Sequence, residues 1–223
     1  MTSIFDIETL ALPEDHIRSL IPPFNPDKVA LGNRTKPDTV AAYIEECRAN
    51  HGNDIVEKAA LSPIYGQIAI AGFYDAVSGE TRQFSLADNT EEIVVAEAIS
   101  EILSMVNTHV VAGWNVKAFD MAFLVKRAWI LGVAVPRAVF DSCNPRYPWS
   151  RGIVDMMEVF QCGNYKDSFT SANQAARILG LDPVTMSDGS KFGELWATDN
   201  QKALSYNADD LRLEREIAER IMR

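Results

Sequence analysis

The chain begins with M-T-S-I-F-D-I-E-T-L (residues 1–10), a run in which two carboxylates stand inside an apolar stretch. The alternation of apolar residues with Asp6 and Glu8 predicts a β-strand over residues 3–8. Side chains two residues apart on a strand point to the same face, so Asp6 and Glu8 lie side by side and repel each other. One interpretation is a solvated edge strand with an acidic face. The other is a site for a divalent cation, whose charge removes the repulsion.

Length, composition and charge limit the kinds of protein that this chain can be. The chain has 223 residues, of which 47% are hydrophobic, and a formal net charge of −10 at pH 7. This length predicts a single domain over residues 1–223, with a Pro-rich and helical insertion at about residues 11–60. The negative charge argues against a broad basic surface for nucleic acid. It is compatible with an enzyme that holds only a chain end, where metal ions neutralise its own carboxylates.

The sequence gives no indication of a membrane or a secretory address. No apolar run approaches about 20 residues, and the N-terminus lacks a basic segment followed by an apolar one. The three cysteines, Cys47, Cys143 and Cys162, form no C-x-x-C pair, which argues against a zinc site or a disulfide framework. We therefore expect a reduced, cytoplasmic protein.

Periodicity along the rest of the chain predicts an α/β fold with a mixed sheet covered by helices and a helical last third. The Pro-rich stretch 12–37 is expected to be irregular. Further strands are expected at 66–74 and 81–86, which form a hairpin, and at 109–113. The segment 136–151 is expected to be rich in loops, with one possible short strand at 138–140. Helices are expected at about 38–58, 89–106, 118–131, 153–161, 168–180, 190–197 and 200–222.

Two later segments supply further carboxylates. Asp120 follows the strand at 109–113, at the kind of edge where ligands gather in open α/β sheets. Alternatively, it is a first-turn acid stabilised by the helix dipole. Tyr206 and Asp210 are four residues apart on the last helix and share one face, unless they form an ordinary aromatic–acid pair at the surface. Asp209 points in another direction and is expected to be solvated.

Three ordered motifs carry a resemblance to a known family: F-D-I-E-T-L (5–10), G-W-N-V-K-A-F-D (113–120) and Y-N-A-D-D (206–210). They resemble the motifs of the DnaQ-like (DEDD) 3′–5′ exonucleases of the ribonuclease H-like superfamily. More specifically, the chain resembles the small stand-alone branch related to the proofreading domain of family B DNA polymerases. The resemblance implies a ribonuclease H-like, mixed five-stranded sheet flanked by helices. Weaker similarities lie at 59–68, 154–157 and 187–190.

The resemblance implies that Asp6, Glu8, Asp120 and Asp210 bind two divalent cations, Mg²⁺ or Mn²⁺. It places the chain in the tyrosine subclass, because the third motif contains Tyr206 and no histidine. Two such ions activate a water molecule and hold the leaving oxygen of a phosphodiester. Tyr206 is expected to orient that water rather than to deprotonate it, because a tyrosine hydroxyl ordinarily titrates near pH 10.

The same resemblance implies substrate contacts around the metal site. The backbone from Ile7 to Leu10 would donate to the terminal sugar, with Thr9 and Leu10 as the substrate-binding residues, and Asn115 and Phe119 would contact the terminal nucleotide. A core position is an equally good interpretation of Phe119. Trp114 departs from the family pattern, in which a smaller or polar residue is usual, and this bears on how the substrate strand passes.

Other polar residues receive more general predictions. Asp155 is expected to cap a helix. Several basic residues are candidates for phosphate contacts, although most of them are expected to be solvated. They are Lys117, Lys126, Arg127, Arg146, Arg151 and Lys166.

The sequence therefore predicts a metal-dependent 3′–5′ exonuclease that acts on single-stranded DNA and releases nucleoside 5′-monophosphates. Two alternatives stay open. One is a 3′–5′ exoribonuclease, because no feature of the sequence distinguishes a 2′-hydroxyl from its absence. The other is a catalytically idle nucleic-acid-binding module associated with a polymerase. A structural helical protein with an acidic surface would make the ordered motifs a coincidence. The expected partner is a nucleic-acid 3′ end, and a polymerase or another replication or repair protein is a further candidate.

Overall fold

The computed structural model describes residues 1–142, 152–162, 169–184 and 191–222. Its strands are β1 (Thr2–Ala11), β2 (Gly66–Tyr74), β3 (Thr81–Ser85), β4 (Val110–Gly113) and β5 (Ile153–Asp155). Its helices are α1 (Glu14–Leu20), α2 (Pro37–Ala49), α3 (Asn53–Glu57), α4 (Glu91–Val106), α5 (Asp120–Leu131), α6 (Arg137–Ser142), α7 (Met156–Phe160), α8 (Ala172–Leu179), α9 (Phe192–Thr198) and α10 (Asn200–Ile221). Short 3-10 turns lie at Pro26–Lys28 and Ala59–Leu61.

The sheet has the strand order β3-β2-β1-β4-β5, so β1 is its central strand. β2 pairs antiparallel with both β1 and β3, whereas β4 pairs parallel with both β1 and β5. The predicted fold class is therefore confirmed: the protein is an α/β fold with a mixed five-stranded sheet flanked by helices. This arrangement is consistent with a ribonuclease H-like fold.

The alternation of β1 separates the two sides of the sheet. Phe5 and Ile7 point into a hydrophobic core that includes buried residues of α4 and α5. On the other side, Ile4 packs against buried residues of α8 and of the long helix α10. Asp6 and Glu8 share the side of Ile4, because side chains two residues apart on a strand face the same way. Helix α10, which packs across β1 and β2, therefore faces both carboxylates.

The fifth strand differs from the sequence prediction. Residues 138–140, predicted as a short strand, belong to α6, which begins after Pro136 with hydrogen bonds from the N–H groups of Val139 and Phe140 to the Pro136 carbonyl. The fifth strand is β5, at the start of the segment predicted as a helix over 153–161, and α7 follows it directly. β5 forms because β4 offers it a parallel edge. A three-residue strand is too short to show a periodicity of its own.

The segment between β1 and β2 also differs from its prediction. The helix predicted over 38–58 is divided into α2 and α3, because Gly52 between them has a φ of +82°, the left-handed conformation that ends a helix. The stretch 12–37, predicted as irregular, contains α1 and a 3-10 turn. The described parts of the remaining predicted helices agree with α4, α5, α8, α9 and α10 to within about one turn.

A helix that spans a membrane must be both long and predominantly apolar. None of the helices in residues 1–142, 152–162, 169–184 and 191–222 combines the length and the apolar character that a membrane span needs.

Candidate metal centre

The end of β1 that carries Asp6 and Glu8 extends beyond its parallel partner. The pairing of β1 with β4 covers Thr2 to Ile4, and β4 then turns into the loop that leads to α5. The backbone N–H of Ile7 donates instead to Oδ1 of Asp120, over 3.0 Å. Asp120 begins α5 and is only 3% exposed. This bond brings the first and second motifs together, and it occupies the Ile7 N–H, which was expected to donate to the terminal sugar.

Helix α10 brings the third motif to the same place. Carboxylate oxygens of Asp6, Glu8 and Asp210 lie within 4.8 Å of one another, and all three side chains are half-buried. Tyr206, one helical turn before Asp210, donates its hydroxyl to the Asp210 carboxylate. Carboxylate oxygens in this arrangement are the ligands that hard divalent cations prefer, so the cluster can hold a metal ion.

The acidic cluster resists full ionisation in the absence of a cation. Burial, followed by the charges of neighbouring acids, raises the pKa of Asp6 and of Glu8 well above their ordinary values. Burial also raises the pKa of Asp120 to about 8 and that of Asp210 to about 7. Both causes penalise the charged form of a carboxyl group. Positive charge brought into the cluster would remove this penalty.

The surroundings of Tyr206 keep its hydroxyl protonated. Burial, followed by the negative charges of Asp210, Glu8 and Asp6, raises the pKa of Tyr206 above its ordinary value. Its ring lies beside that of Phe192 in α9, with the ring centroids 6.1 Å apart. A protonated hydroxyl held in this way can donate a hydrogen bond and orient a neighbouring water, which is the role expected from the sequence.

The predicted substrate residues of β1 have structural contacts of their own. A register shift in the pairing of β1 with β2 separates Glu8 from Thr9. The Thr9 hydroxyl donates to the carbonyl of Ala60 over 2.7 Å. Leu10 packs against a hydrophobic cluster that includes Phe192. The side chains of Thr9 and Leu10 thus support the fold, and the contact of their backbone with a sugar stays a prediction.

The other two predicted substrate residues lie in the loop between β4 and α5. Asn115 has a φ of +59°, and its backbone N–H donates to Oδ1 of Asp155 over 3.1 Å. Phe119 is half-buried against the main core, with its ring centroid 5.7 Å from that of Phe123. Phe119 therefore packs partly as a core residue, as the alternative interpretation held, and directly precedes the buried Asp120. Contact of either residue with a nucleotide stays a prediction.

Asp155 caps a helix, as predicted, and also holds the β4–α5 loop. Its carboxylate accepts hydrogen bonds from the N–H groups of Met157 and Glu158 at the start of α7. The same carboxylate accepts from the N–H groups of Asn115 and Lys117. One buried side chain thus joins β5, α7 and the loop that leads to Asp120.

Trp114, the departure from the family pattern, lies in the core. It is 7% exposed, packs in the cluster beneath α8 and α10, and donates its ring N–H to the carbonyl of Thr170 over 2.8 Å. Among the candidate phosphate contacts, Arg127 is also buried and is ion-paired with Glu91, so it serves the interior and not a phosphate. Lys117 pairs with Glu158 over 2.9 Å. Residues outside the described ranges include Arg146, Arg151, Lys166 and the segment 187–190.

Two buried residues of α10 belong to the site and were not predicted. Asn207 donates its Nδ2 to Oδ2 of Asp6 over 2.8 Å. Glu214 is 5% exposed, and within the described residues its Oε2 has no hydrogen-bond partner. Burial and the charges of Asp120 and Asp210 raise the pKa of Glu214 well above its ordinary value. The helical repeat was the available signal, since positions three and four residues from Asp210 share its face.

Comparison with known proteins gives a structural match. No protein-family model and no curated protein matches the sequence. The structure is similar to part of the family B DNA polymerase from the hyperthermophilic archaeon Pyrobaculum calidifontis, with a TM-score of 0.62 and 16% sequence identity. The similarity covers 99% of this chain and 24% of the polymerase chain. At this identity the match shows that the chain shares its fold with a part of a family B DNA polymerase.

Proposed function

We propose that this chain is a metal-dependent 3′–5′ exonuclease of the tyrosine-type DEDD class, acting on single-stranded DNA and releasing nucleoside 5′-monophosphates. The observation that carries the proposal is the convergence of Asp6, Glu8, Asp120 and Asp210 from three distant motifs at one end of β1. The similarity of the fold to part of a family B DNA polymerase supports it independently, since a fold comparison does not rest on the motifs. We treat the whole chain, residues 1–223, as one exonuclease domain.

The residues present fit two divalent cations. The donor set consists of carboxylate oxygens, and Asp6, Glu8 and Asp210 already bring theirs within 4.8 Å of one another. Asp120 lies outside this group of three, but its Oδ1 accepts from Ile7 and its charge acts on Asp6, so its carboxylate adjoins the cluster. Divalent cations bound there would supply an activated water and charge neutralisation for a phosphodiester. The raised pKa values of the four acids mean that ionising them costs free energy when no cation is present, as expected of a site that binds cations.

The remaining residues have roles that follow from their contacts. Tyr206 keeps its proton and, next to Asp210, orients the attacking water. Phe119 offers a partly exposed aromatic face next to Asp120, and stacking on a base does not require a particular sequence. Asn115 and the backbone of Thr9 and Leu10 complete the proposed contact with the terminal nucleotide. A polymerase acting on the same 3′ ends is the proposed kind of partner.

The proposal is tested by incubating 5′-labelled DNA and RNA strands with the full chain and Mg²⁺ or Mn²⁺. We expect a ladder that shortens the DNA from its 3′ end and disappears with Asp6→Ala or Asp210→Ala. Asp209→Ala is the matched control, because Asp209 adjoins Asp210 on α10 but is solvent-exposed and should leave the ladder intact. Faster shortening of RNA would favour the exoribonuclease. Binding without any shortening would favour the idle module and overturn the proposal.

A further inference from the structure

The side chain of Asn207 is completely buried beside the acidic cluster, where an amide is stable only if its hydrogen bonds are satisfied. Its Nδ2 donates to Oδ2 of Asp6 over 2.8 Å, and its Oδ1 accepts from Nε2 of Gln83 over 2.9 Å. Gln83 belongs to β3, on the far side of β2 from Asp6. The amide of Asn207 therefore bridges β2 and joins the sheet edge to the acidic cluster.

Gly72 has no side chain and so leaves room for this bridge. It lies opposite Asp6 in the pairing of β1 with β2. A Cβ atom added to Gly72 would stand 2.1 Å from Oδ1 of Asn207 and 2.9 Å from Cδ1 of Leu211. Any larger residue at this point of β2 would displace the amide, so the glycine provides the space in which Asn207 reaches Asp6.

The hydrogen-bond network fixes the orientation of the amide. Nε2 of Gln83 also donates to the backbone carbonyl of Leu204 over 2.8 Å. A carbonyl oxygen can only accept, so Gln83 must present its NH₂ group to this region. Asn207 must then turn its oxygen toward Gln83 and its own NH₂ toward Asp6. The donor to Asp6 is therefore set by a backbone carbonyl of α10, three residues before Asn207.

We propose that Asn207 is a positioning residue of the metal centre: its amide anchors the Asp6 carboxylate through Oδ2 and leaves Oδ1 as the oxygen presented to a cation. This rests on the proposed metal-dependent function. Without the amide, the Asp6 carboxylate can rotate about its last bond and loses a fixed orientation relative to Glu8 and Asp210. Partners that orient ligand side chains typically change metal affinity or activity 10- to 100-fold when removed.

Among the described residues, the hydrogen bonds connect Gln83 to Asp6 through Asn207, so a positioning role can be told apart from a purely structural one. Replacing Gln83 should release the oxygen end of the amide and weaken metal binding to a smaller extent than replacing Asn207. Once Asn207 is gone, replacing Gln83 as well should have no further effect on metal affinity. A purely structural role predicts instead that each replacement lowers the free energy of unfolding and leaves metal affinity unchanged. The two stability losses would then be non-additive, because the side chains are bonded to each other.

The test is Mn²⁺ binding to the full chain by isothermal titration calorimetry, for wild type, Asn207→Ala, Gln83→Ala and the double variant. Asn173→Ala is the matched control, because Asn173 also has a side chain bonded within the fold, to the N–H of Val184 over 2.8 Å, but contacts α8 and its following loop. We expect the Mn²⁺ dissociation constant to rise at least about tenfold in Asn207→Ala, less in Gln83→Ala, and not in Asn173→Ala.

The possible outcomes separate this proposal from the proposed function. Wild-type affinity in a folded Asn207→Ala variant would overturn the positioning role while leaving the nuclease proposal standing. If Asn207→Ala does not fold, Gln83→Ala decides, and unchanged affinity there overturns the network through Gln83. Failure of the wild-type chain to bind Mn²⁺ would instead defeat the metal centre itself, and the positioning role with it.

Discussion

Replacing Asp210 by asparagine removes one charge from the acidic cluster while preserving the size of the side chain. In the folded protein, burial raises the pKa of Asp210 from 3.8 to about 7, although the hydrogen bond from Tyr206 opposes the shift. The folded state therefore holds the Asp210 proton more tightly than the unfolded chain does. Stability from this group is complete below pH 3.8 and is lost progressively as the pH rises from 3.8 to about 7. The amide that replaces the carboxyl group in the variant does not titrate, so the variant avoids this loss.

The size of the effect follows from the shift. One pKa unit corresponds to about 1.4 kcal/mol, so the rise from 3.8 to about 7 corresponds to a loss on the order of 4 kcal/mol at pH 8 and about 2 kcal/mol at pH 5. For a chain of this length, 1 kcal/mol changes the Tm by about 2–4 °C. We therefore expect Asp210→Asn, without divalent cations, to raise the Tm by roughly 8–16 °C at pH 8 and by about half as much at pH 5.

Thermal unfolding followed by circular dichroism at both pH values, in EDTA and in Mn²⁺, measures this prediction. Mn²⁺ should stabilise the wild type more at pH 8 than at pH 5, since fewer protons then compete for the carboxylates, and should stabilise Asp210→Asn less at either pH. Asp209→Asn is the control: Asp209 is exposed and its charge is a smaller cause of the raised Asp210 pKa than burial, so the Tm of this variant should stay much closer to that of the wild type at both pH values. An equal Tm difference between Asp210→Asn and wild type at pH 5 and pH 8 would refute the assignment of the destabilisation to ionisation.

Three further variants test other parts of the structure. Tyr206→Phe should lower kcat strongly while leaving the Mn²⁺ dissociation constant nearly unchanged, and equal losses in both would contradict its role in orienting water. Arg127→Met leaves the buried carboxylate of Glu91 unpaired and should lower the free energy of unfolding by about 3–5 kcal/mol in urea. Gly113→Ala places a Cβ 2.6 Å from the Phe5 carbonyl oxygen, so it should cost about 1–3 kcal/mol in the same assay and weaken Mn²⁺ binding by shifting the loop that leads to α5.

Elements with a strong local pattern could be predicted from the sequence. β1 alternates apolar and acidic residues, and the β2–β3 hairpin is marked by Gly79, whose φ of +76° suits the turn. β5 could not be predicted, because a three-residue strand exists only through its pairing with β4. The end of α2 was missed for a different reason. Gly52 is a helix-ending residue within a stretch that otherwise favours a helix, and its left-handed φ shows that the helix is interrupted there.

Some features of the candidate site likewise follow from local sequence patterns, whereas others depend on contacts between distant residues. The shared face of Asp6 and Glu8 follows from the strand repeat alone. The approach of Asp120 to Ile7 spans 113 residues, and no local pattern contains it, so only the resemblance to a family indicated that these motifs meet. Glu214 was missed because glutamate is rarely buried, and its position one turn after Asp210 is equally typical of an exposed helix face.

The acids around the site also anchor the β4–α5 loop through hydrogen bonds within the protein. At Asn115 the chain leaves the strand conformation, which frees backbone N–H groups in the β4–α5 loop from sheet pairing. Glu214 accepts from the N–H of Trp114, and Asp155 accepts from those of Asn115 and Lys117. The loop is thus anchored from α10 on one side and from β5 on the other. Because these anchors are internal hydrogen bonds, the loop should keep its conformation in EDTA, and metal binding should change the ionisation of the cluster more than its shape.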